Sequence, residues 1–394
     1  MSTWQSRLGR WLGRLFTLTI GLAVSLTLCE WTARWLRPDL VPANEMKSVP
    51  DPFIGWRCLP CQTLDGRTEH GEPKHIQTNN LGFPDEDHEL AKAPGTTRIA
   101  VLGDSFAAAF HVNYPDSFVQ VMKRRLQQDT PSTQWEVLNF GVTGFGTTRE
   151  LAAWKYYAAP FKPDVVILAF FMGNDVANNL PGYDDTFAQR KAAKPHGWFY
   201  RTFLEPSLLY QQYKLRERDI RHRWRRDWSR KTSGEDARRP FWERSYAPID
   251  WQTYLTEPPP SFQRAWQATE DGLVALHNET RASGARLAVV LLPGVEAVAP
   301  GLFKQSFPRY PGIEQFNFDT DYPHRRLLAF LKKQQIPLID VQAAIEKEIP
   351  AAQRQQLYFK FDLHFTTRGH RLAGETAALE LPACLQQTTF RKNY

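Results

Sequence analysis

The chain contains little cysteine, no internal repeat and no long low-complexity segment. Four of its 394 residues are cysteines, and two of these stand close together as Cys58-Leu-Pro-Cys61. A structural zinc site needs a second such pair, which the sequence lacks, so no metal site of this type is expected. The pair lies in a proline-rich stretch ahead of the first strand-like run, which argues against a thioredoxin-like redox site. A structural disulfide and two free thiols remain as alternatives.

The chain also has almost no net charge outside one segment. Residues 214–239 contain eleven basic and five acidic side chains, a net charge of +6 out of the total of +7. The rest of the chain is close to neutral, so the composition predicts no nucleic-acid partner. Within the segment, Trp224 and Trp228 alternate with arginines, a pattern that suits an anionic lipid surface or a glycan. A solvated charged helix face is the alternative.

One uncharged run of fifteen residues, 15–29, lies near the N terminus and follows three arginines. A membrane-spanning helix needs about 20 residues, and residues 12–36 are long enough if Arg14 and Arg34 extend to the interfaces. A cleaved signal peptide, for which the residues before Cys29 form a poor cleavage site, and a buried amphipathic helix are the alternatives. An uncleaved signal anchor over residues 1–37 fits best. It predicts a single-pass bacterial inner-membrane protein, with the remainder of the chain on the periplasmic or extracellular side.

From residue 96 onwards, short apolar runs alternate with helical patterns. The predicted strands are residues 98–102, 135–139, 164–171, 286–292 and 337–341. The predicted helices are residues 116–128, 147–157, 262–283, 324–334 and 366–379, with Thr147 or Thr148 and Thr366 or Thr367 as caps. This alternation predicts an α/β fold with a parallel sheet covered on both faces. We expect one domain in two parts, 96–180 and 261–394, preceded by a linker at 38–95 that wraps onto the domain and interrupted by an Arg/Trp-rich insertion at 181–260.

Five polar or glycine residues follow predicted strands or lie in the last long loop, where a parallel sheet places its ligands. They are Ser105, Gly144, Asn174, Asp362 and His364. Acyl transfer needs a nucleophile, a base, an orienting group for the base and donors for the oxyanion. Ser105 suits the nucleophile, His364 the base and Asp362 its orienting carboxylate, while the N–H groups of Ser105 and Gly144 and the Asn174 amide suit the oxyanion hole. His370, inside the last predicted helix, is expected to pack there and not to react.

The same residues stand in blocks that resemble those of the SGNH (GDSL-type) hydrolases. The blocks are Gly103-Asp104-Ser105, the run from Asn139 to Gly144, Gly173-Asn174-Asp175 and Asp362-Leu363-His364. The family's last block usually reads Asp-x-x-His; the form here is one residue shorter and is similar to that of members that modify extracellular polysaccharides. The resemblance implies a flavodoxin-like three-layer α/β/α fold with a five-stranded sheet and hydrolysis of esters without a cofactor or metal.

The leading prediction is therefore a membrane-anchored serine esterase or deacylase that cleaves glycan or lipid esters through an acyl-Ser105 intermediate. An O-acyltransferase for an extracytoplasmic polysaccharide would use the same residues and pass the acyl group to a sugar hydroxyl. A non-catalytic protein that keeps the fold is a third possibility, against which the intact Ser105, Asn174 and His364 argue. The sequence does not predict the oligomeric state.

Overall fold

A computed structural model describes residues 2–36, 46–180, 240–243, 247–310, 312–360 and 362–386, together with five single residues between 204 and 213. The basic segment at 214–239 and most of the Arg/Trp-rich insertion lie outside the described residues. The chain divides into two compact units, one of residues 1–45 and 194–233 and the other of residues 46–193 and 234–394.

The first unit contains one long helix, α1 (Ser2–Leu36). The most apolar 18 residues of its segment Gly9–Leu36 have a mean hydropathy of 1.7, and none of these residues is buried. Four hydroxyl side chains in the segment each donate to the carbonyl four residues earlier, so these polar groups are satisfied within the helix. By length and composition α1 is able to cross a membrane, and a signal sequence meets the same criteria.

The second unit begins with two antiparallel hairpins. Strand β1 (Ser48–Asp51) pairs with β2 (Gly55–Cys58), and β3 (Thr63–Arg67) pairs with β4 (Pro73–Gln77). Nearby Ile54, Trp56 and Phe83 are buried in the core of this unit. Residues 46–95 are therefore a folded part of this unit. The sequence predicted that this stretch wraps onto the domain but did not predict its two hairpins. No disulfide joins Cys58 to Cys61 in the structure, so the disulfide alternative is wrong.

The central sheet of the second unit has five parallel strands. They are β5 (Thr96–Gly103), β6 (Gln134–Asn139), β7 (Val165–Phe171), β8 (Arg286–Leu292) and β9 (Leu338–Asp340). Their order in the sheet is β6-β5-β7-β8-β9. This is the flavodoxin-like order, in which ligands bind at the carboxyl edge of the strands where the chain direction switches, between β5 and β7. The predicted fold class is confirmed.

Helices cover both faces of this sheet. In chain order they are α2 (Ser105–Ala108), α3 (Phe118–Asp129), α4 (Thr147–Ala153), α5 (Asp175–Asn178), α6 (Pro260–Ala282), α7 (Val295–Val298), α8 (Pro300–Gln305), α9 (Tyr322–Gln334), α10 (Val341–Glu348) and α11 (Thr367–Gln386). Alternate strand residues feed two separate apolar cores. One core contains side chains of α4, α6 and α9, and the other contains side chains of α3, α10 and α11. The sheet is therefore the middle of three layers.

The predicted helices 147–157 and 366–379 differ most from the observed ones, while the other three differ by at most two residues at either end. The N-cap of α4 is Gly146, so the predicted caps Thr147 and Thr148 are wrong. Thr147 is the first residue of the helix and is buried, and its hydroxyl accepts a hydrogen bond from the Asn179 side chain at 2.8 Å. After Ala153 the chain continues as a π-helical turn, Trp154–Ala158. The last helix runs seven residues beyond its predicted end, since buried apolar side chains near its C terminus extend its contact with the core.

Candidate active site

Ser105 lies in the turn that follows β5. The Asp104 carboxylate accepts a hydrogen bond from the Phe106 N–H at 2.8 Å and so caps α2, the single buried turn that begins with Ser105. Gly141, in the loop after β6, allows that loop to approach α2, because a Cβ there would lie 2.6 Å from both the Ala107 Cβ and the Ala108 nitrogen. The neighbouring loops thus fix the turn, and 4% of Ser105 remains exposed.

His364 and Asp362 extend a chain of contacts from Ser105. The Ser105 hydroxyl lies 2.8 Å from His364 Nε2, and His364 Nδ1 contacts Asp362 Oδ1. Burial alone would raise the pKa of Asp362, but the hydrogen bond with His364 and the nearby imidazoles of His111 and His364 lower it to about 2. Asp362 is therefore a carboxylate at neutral pH. The structure brings these three predicted residues together, with the His364 ring between Ser105 and Asp362.

Gly144 and Asn174 lie in loops on either side of Ser105. Gly144 follows β6 with a φ of +81°, which favours glycine, and Asn174 follows β7 as the cap of α5. The strands β6 and β7 flank β5, so both loops meet the turn of Ser105 at the same edge of the sheet. The Asn174 Oδ1 atom is buried and has no hydrogen-bond partner in the part of the chain that the structure describes.

Two side chains that the sequence analysis missed contact the loop of Asp362 and His364. Glu69, in the turn between β3 and β4, accepts hydrogen bonds from the Lys360 N–H at 2.8 Å and the Asp362 N–H at 3.2 Å. His111, in the loop between α2 and α3, stacks on His364 with ring centroids 3.7 Å apart. Glu69 falls in the stretch interpreted as a linker, and His111 belongs to no recognised block. A single sequence gives no signal for either residue.

His370 has the packing role predicted for it. It is buried in α11, and its Nδ1 accepts a hydrogen bond from the Phe118 N–H at 3.2 Å. Burial and the nearby His364 lower the pKa of His370 to about 3, which keeps the ring neutral.

Among the residues that the structure describes, two clusters have ligand atoms close enough to hold a metal ion. One consists of His111, Asp362 and His364, and the other of Asp85, Glu86 and His88. In the second cluster, Asp85 Oδ2 accepts from the Asn139 N–H at 2.7 Å and lies 3.1 Å from His88 Nε2. That cluster therefore supports the end of β6 through its own hydrogen bonds. The first cluster is part of the site that contains Ser105.

Three buried carboxyl groups lie near the base of the site. They are Asp104, Glu150 and Asp175. Burial raises the pKa of Asp104 to about 6, although the Phe106 N–H, His364 and Ser105 oppose this rise. Burial and the Asp104 carboxyl raise the pKa of Glu150 well above its usual range, and burial with both neighbouring carboxyls does the same for Asp175. Both Glu150 oxygens lack a hydrogen-bond partner among the described residues, which fits a neutral acid.

We expect Glu150→Gln to stabilise the protein increasingly as the pH rises. The folded-state pKa of Glu150 lies above its usual value of 4.5, so the folded protein keeps a proton that the unfolded chain releases. Stability is then lost as the pH rises from about 4.5 through the folded-state pKa, at about 1.4 kcal/mol for each unit of the shift. Glutamine does not titrate. Urea unfolding at pH 5 and pH 8 measures the effect, with the exposed Glu348→Gln as the control; an equal effect of Glu150→Gln at both values would contradict it.

Comparison with known proteins gives a family and several structural neighbours. The model of the GDSL-like lipase/acylhydrolase family matches residues 101–372. No curated protein matches the chain. An acetylxylan esterase from Geobacillus stearothermophilus is 14% identical, with 73% of this chain and 96% of that chain covered and a TM-score of 0.39. The lipase Lip_vut3 from a goat rumen metagenome is 15% identical, with 73% and 97% covered and a TM-score of 0.40.

The family match covers most of the second unit, from within β5 to beyond β9, and it includes all five predicted site positions. It agrees with the resemblance seen in the sequence blocks and with the flavodoxin-like sheet. The chain thus belongs to the GDSL-like lipase/acylhydrolase family and is an SGNH-type ester hydrolase.

Proposed function

We propose that the protein is a serine esterase or deacylase in which Ser105 is the nucleophile and an acyl-Ser105 ester is the intermediate. The observation that carries this proposal is the distance of 2.8 Å between the Ser105 hydroxyl and His364 Nε2, with Asp362 on the other ring nitrogen. A base at this distance is able to take the hydroxyl proton as the oxygen attacks.

The first half of the reaction transfers the acyl group to the enzyme. Ser105 Oγ attacks the ester carbonyl while its proton passes to His364 Nε2. Asp362 holds the Nδ1–H tautomer of His364 and stabilises the imidazolium that forms. The tetrahedral intermediate then collapses, the bond to the leaving alcohol breaks, and His364 returns the proton to the alcohol oxygen. Water, activated by the same imidazole, hydrolyses the acyl-Ser105 ester and restores the hydroxyl.

The negative oxygen of the tetrahedral intermediate needs donors that are already in position. We assign this role to the N–H groups of Ser105 and Gly144 and to the side-chain amide of Asn174. The sheet order supports the assignment, because the loops after β6 and β7 flank the turn after β5. Loss of one such donor typically costs about 3 kcal/mol of transition-state stabilisation.

The experiment that tests the nucleophile is labelling of the full-length protein with a fluorophosphonate. We expect one phosphonyl group on the peptide that contains Ser105 and no labelling of Ser105→Ala. Ser117→Ala, which removes the buried hydroxyl that caps α3, is the matched control and keeps the label. A wild-type protein that folds and hydrolyses esters but takes no label would overturn the proposal.

We also propose that α1 is an uncleaved anchor, that the second unit lies outside the inner membrane, and that the substrates are esters of cell-surface glycans or lipids. The apolar surface of α1 and the arginines before its apolar segment support this orientation. We expect external protease to digest the second unit in spheroplasts, while a cytoplasmic marker stays intact. Digestion only after lysis would contradict the orientation.

A further inference from the structure

His111 contacts two of the three residues that the proposed mechanism uses. Its ring lies nearly parallel to that of His364, at an interplanar angle of 17° and a centroid distance of 3.7 Å. Its Nε2 lies 3.3 Å from Asp362 Oδ1, the oxygen that also contacts His364 Nδ1. One carboxylate oxygen thus faces two imidazoles, from loops about 250 residues apart.

The loop with Asp362 and His364 has an unusual backbone. Leu363, which separates them, has a φ of +65°, in the left-handed region that a branched side chain seldom adopts. This conformation allows a block with one intervening residue to direct both side chains towards Ser105. Such a backbone persists where its surroundings hold it in place.

The hairpin of β3 and β4 holds both loops. Glu69 accepts hydrogen bonds from backbone N–H groups of the Asp362 loop, and Lys74 Nζ donates to the carbonyl of Phe110, next to His111, at 2.7 Å. The Asn113 side chain, just beyond His111, accepts from the backbone N–H of β4 at 2.8 Å. The hairpin lies before residue 101, where the family match begins, so these contacts come from residues outside the matched part of the chain.

We propose that His111 is a positioning residue, which holds the carboxylate of Asp362 and the ring of His364 in line with Ser105. This inference rests on the proposed function of Ser105. The Nε2–H of His111 faces Asp362 Oδ1 and limits rotation of the carboxylate, and the stacked ring limits rotation of His364. His111 does not touch the reacting atoms; it acts through its two neighbours.

The surroundings keep His111 neutral while charge develops on His364. The titratable groups around it are Asp362 and His364, Lys74 on β4 and His370 on α11. Burial and the nearby His364 lower the pKa of His111 to about 3, and Asp362 opposes this shift. A neutral ring stacks on the imidazolium of His364 without the repulsion that a second positive charge would cause. The Nδ1 of His111 is buried and has no partner in the described parts of the chain, which leaves its proton on Nε2.

The test compares three variants of the full-length protein on one soluble ester. His111→Phe keeps the stacked ring but removes the nitrogen that faces Asp362. We expect kcat to fall about 10- to 100-fold with KM within twofold, because the reacting groups are held less well. The acidic limb of the kcat/KM profile should move to higher pH by about half a unit, since Asp362 then interacts more strongly with protonated His364. His111→Gln restores an N–H at a similar reach but not the stacked ring, so it should restore the position of the acidic limb and recover part of the loss in kcat.

His75→Phe is the matched control, because His75 pairs with Asp65 on the same hairpin at 2.6 Å and has no contact with Asp362. Thermal unfolding identifies a variant that fails to fold, and His111→Ala then replaces His111→Phe with the same expected readouts. A folded variant with unchanged kcat and an unshifted acidic limb would overturn the role of His111. A variant whose decrease in kcat/KM comes entirely from a higher KM would overturn it as well. If Ser105 is not the nucleophile, the wild-type protein itself takes no phosphonate, so failure of the proposed function is seen separately.

Discussion

Ser105→Ala is expected to lower kcat for a small acetyl ester by about 10⁴- to 10⁶-fold, with little change in KM. The substitution removes the attacking oxygen and therefore the acyl-enzyme, while substrate still reaches an intact binding surface. The remaining rate should come from the oxyanion donors and from binding, which alone give about 10³- to 10⁴-fold over water. Steady-state hydrolysis of 4-nitrophenyl acetate measures the loss.

The surroundings of Ser105 allow this result to be separated from misfolding. Its hydroxyl contacts His364 at 2.8 Å and Asp104 at 3.1 Å, and both partners have other hydrogen bonds that remain in the variant. We therefore expect Ser105→Ala to unfold within a few degrees of the wild-type protein. Ser117→Ala controls for the loss of a buried hydroxyl elsewhere and should keep its activity. Turnover within tenfold of wild type in folded Ser105→Ala would exclude Ser105 as the nucleophile.

The strands of the sheet could be predicted because their sequences are short runs of apolar residues that the fold buries on both faces. Residues 286–292 were predicted with the observed bounds of β8, and the other strands differ from their predicted bounds by at most two residues at either end. The same pattern predicted that the site blocks meet in space, because parallel strands bring their carboxyl ends to one edge of the sheet. Local pattern was sufficient for the first three blocks because each lies at the end of its strand, whereas Asp362-Leu363-His364 lies in a loop well beyond β9.

The hairpin of β3 and β4 could not be predicted in the same way. Its strands are five residues long and mostly polar, and it buries few side chains of its own. Its contribution to the candidate site depends on long-range contacts such as that between Glu69 and Asp362, which are 293 residues apart in the chain. Glu150 shows the same limit, because a glutamate on a helix predicts a solvent-exposed position and only the packing of α4 makes it a buried, protonated acid.

The short block Asp362-Leu363-His364 raises the question of which carboxylate orients His364. Asp104 also lies near Ser105, but it contacts the hydroxyl and caps α2, whereas Asp362 contacts His364 Nδ1. The hydrogen bond with the imidazole lowers the pKa of Asp362 against the effect of burial, so its charge persists through the acidic limb of activity. These contacts favour Asp362 for the orienting role that we propose, and the proposal leads to a specific result for one substitution.

Asp362→Asn is expected to lower kcat about 10⁴-fold near neutral pH. The asparagine amide would donate to His364 Nδ1 and so fix the tautomer with a proton on Nε2, which is then unable to accept the Ser105 proton. Because Asp362 is ionised from about pH 2 upwards, the variant should be inactive throughout the neutral range, with partial recovery at alkaline pH as hydroxide takes the place of the base. A kcat profile from pH 5 to 10 measures both effects.

Asp65→Asn is the matched control for Asp362→Asn. Asp65 pairs with His75 Nδ1 at 2.6 Å on the exposed hairpin, so the substitution makes the same chemical change in an Asp–His pair without contact to Ser105. It should leave kcat unchanged. If Asp362→Asn keeps kcat within tenfold of the wild-type protein, Asp362 does not orient His364, and the base is held by its other contacts, which include His111, Phe106 and Ser105.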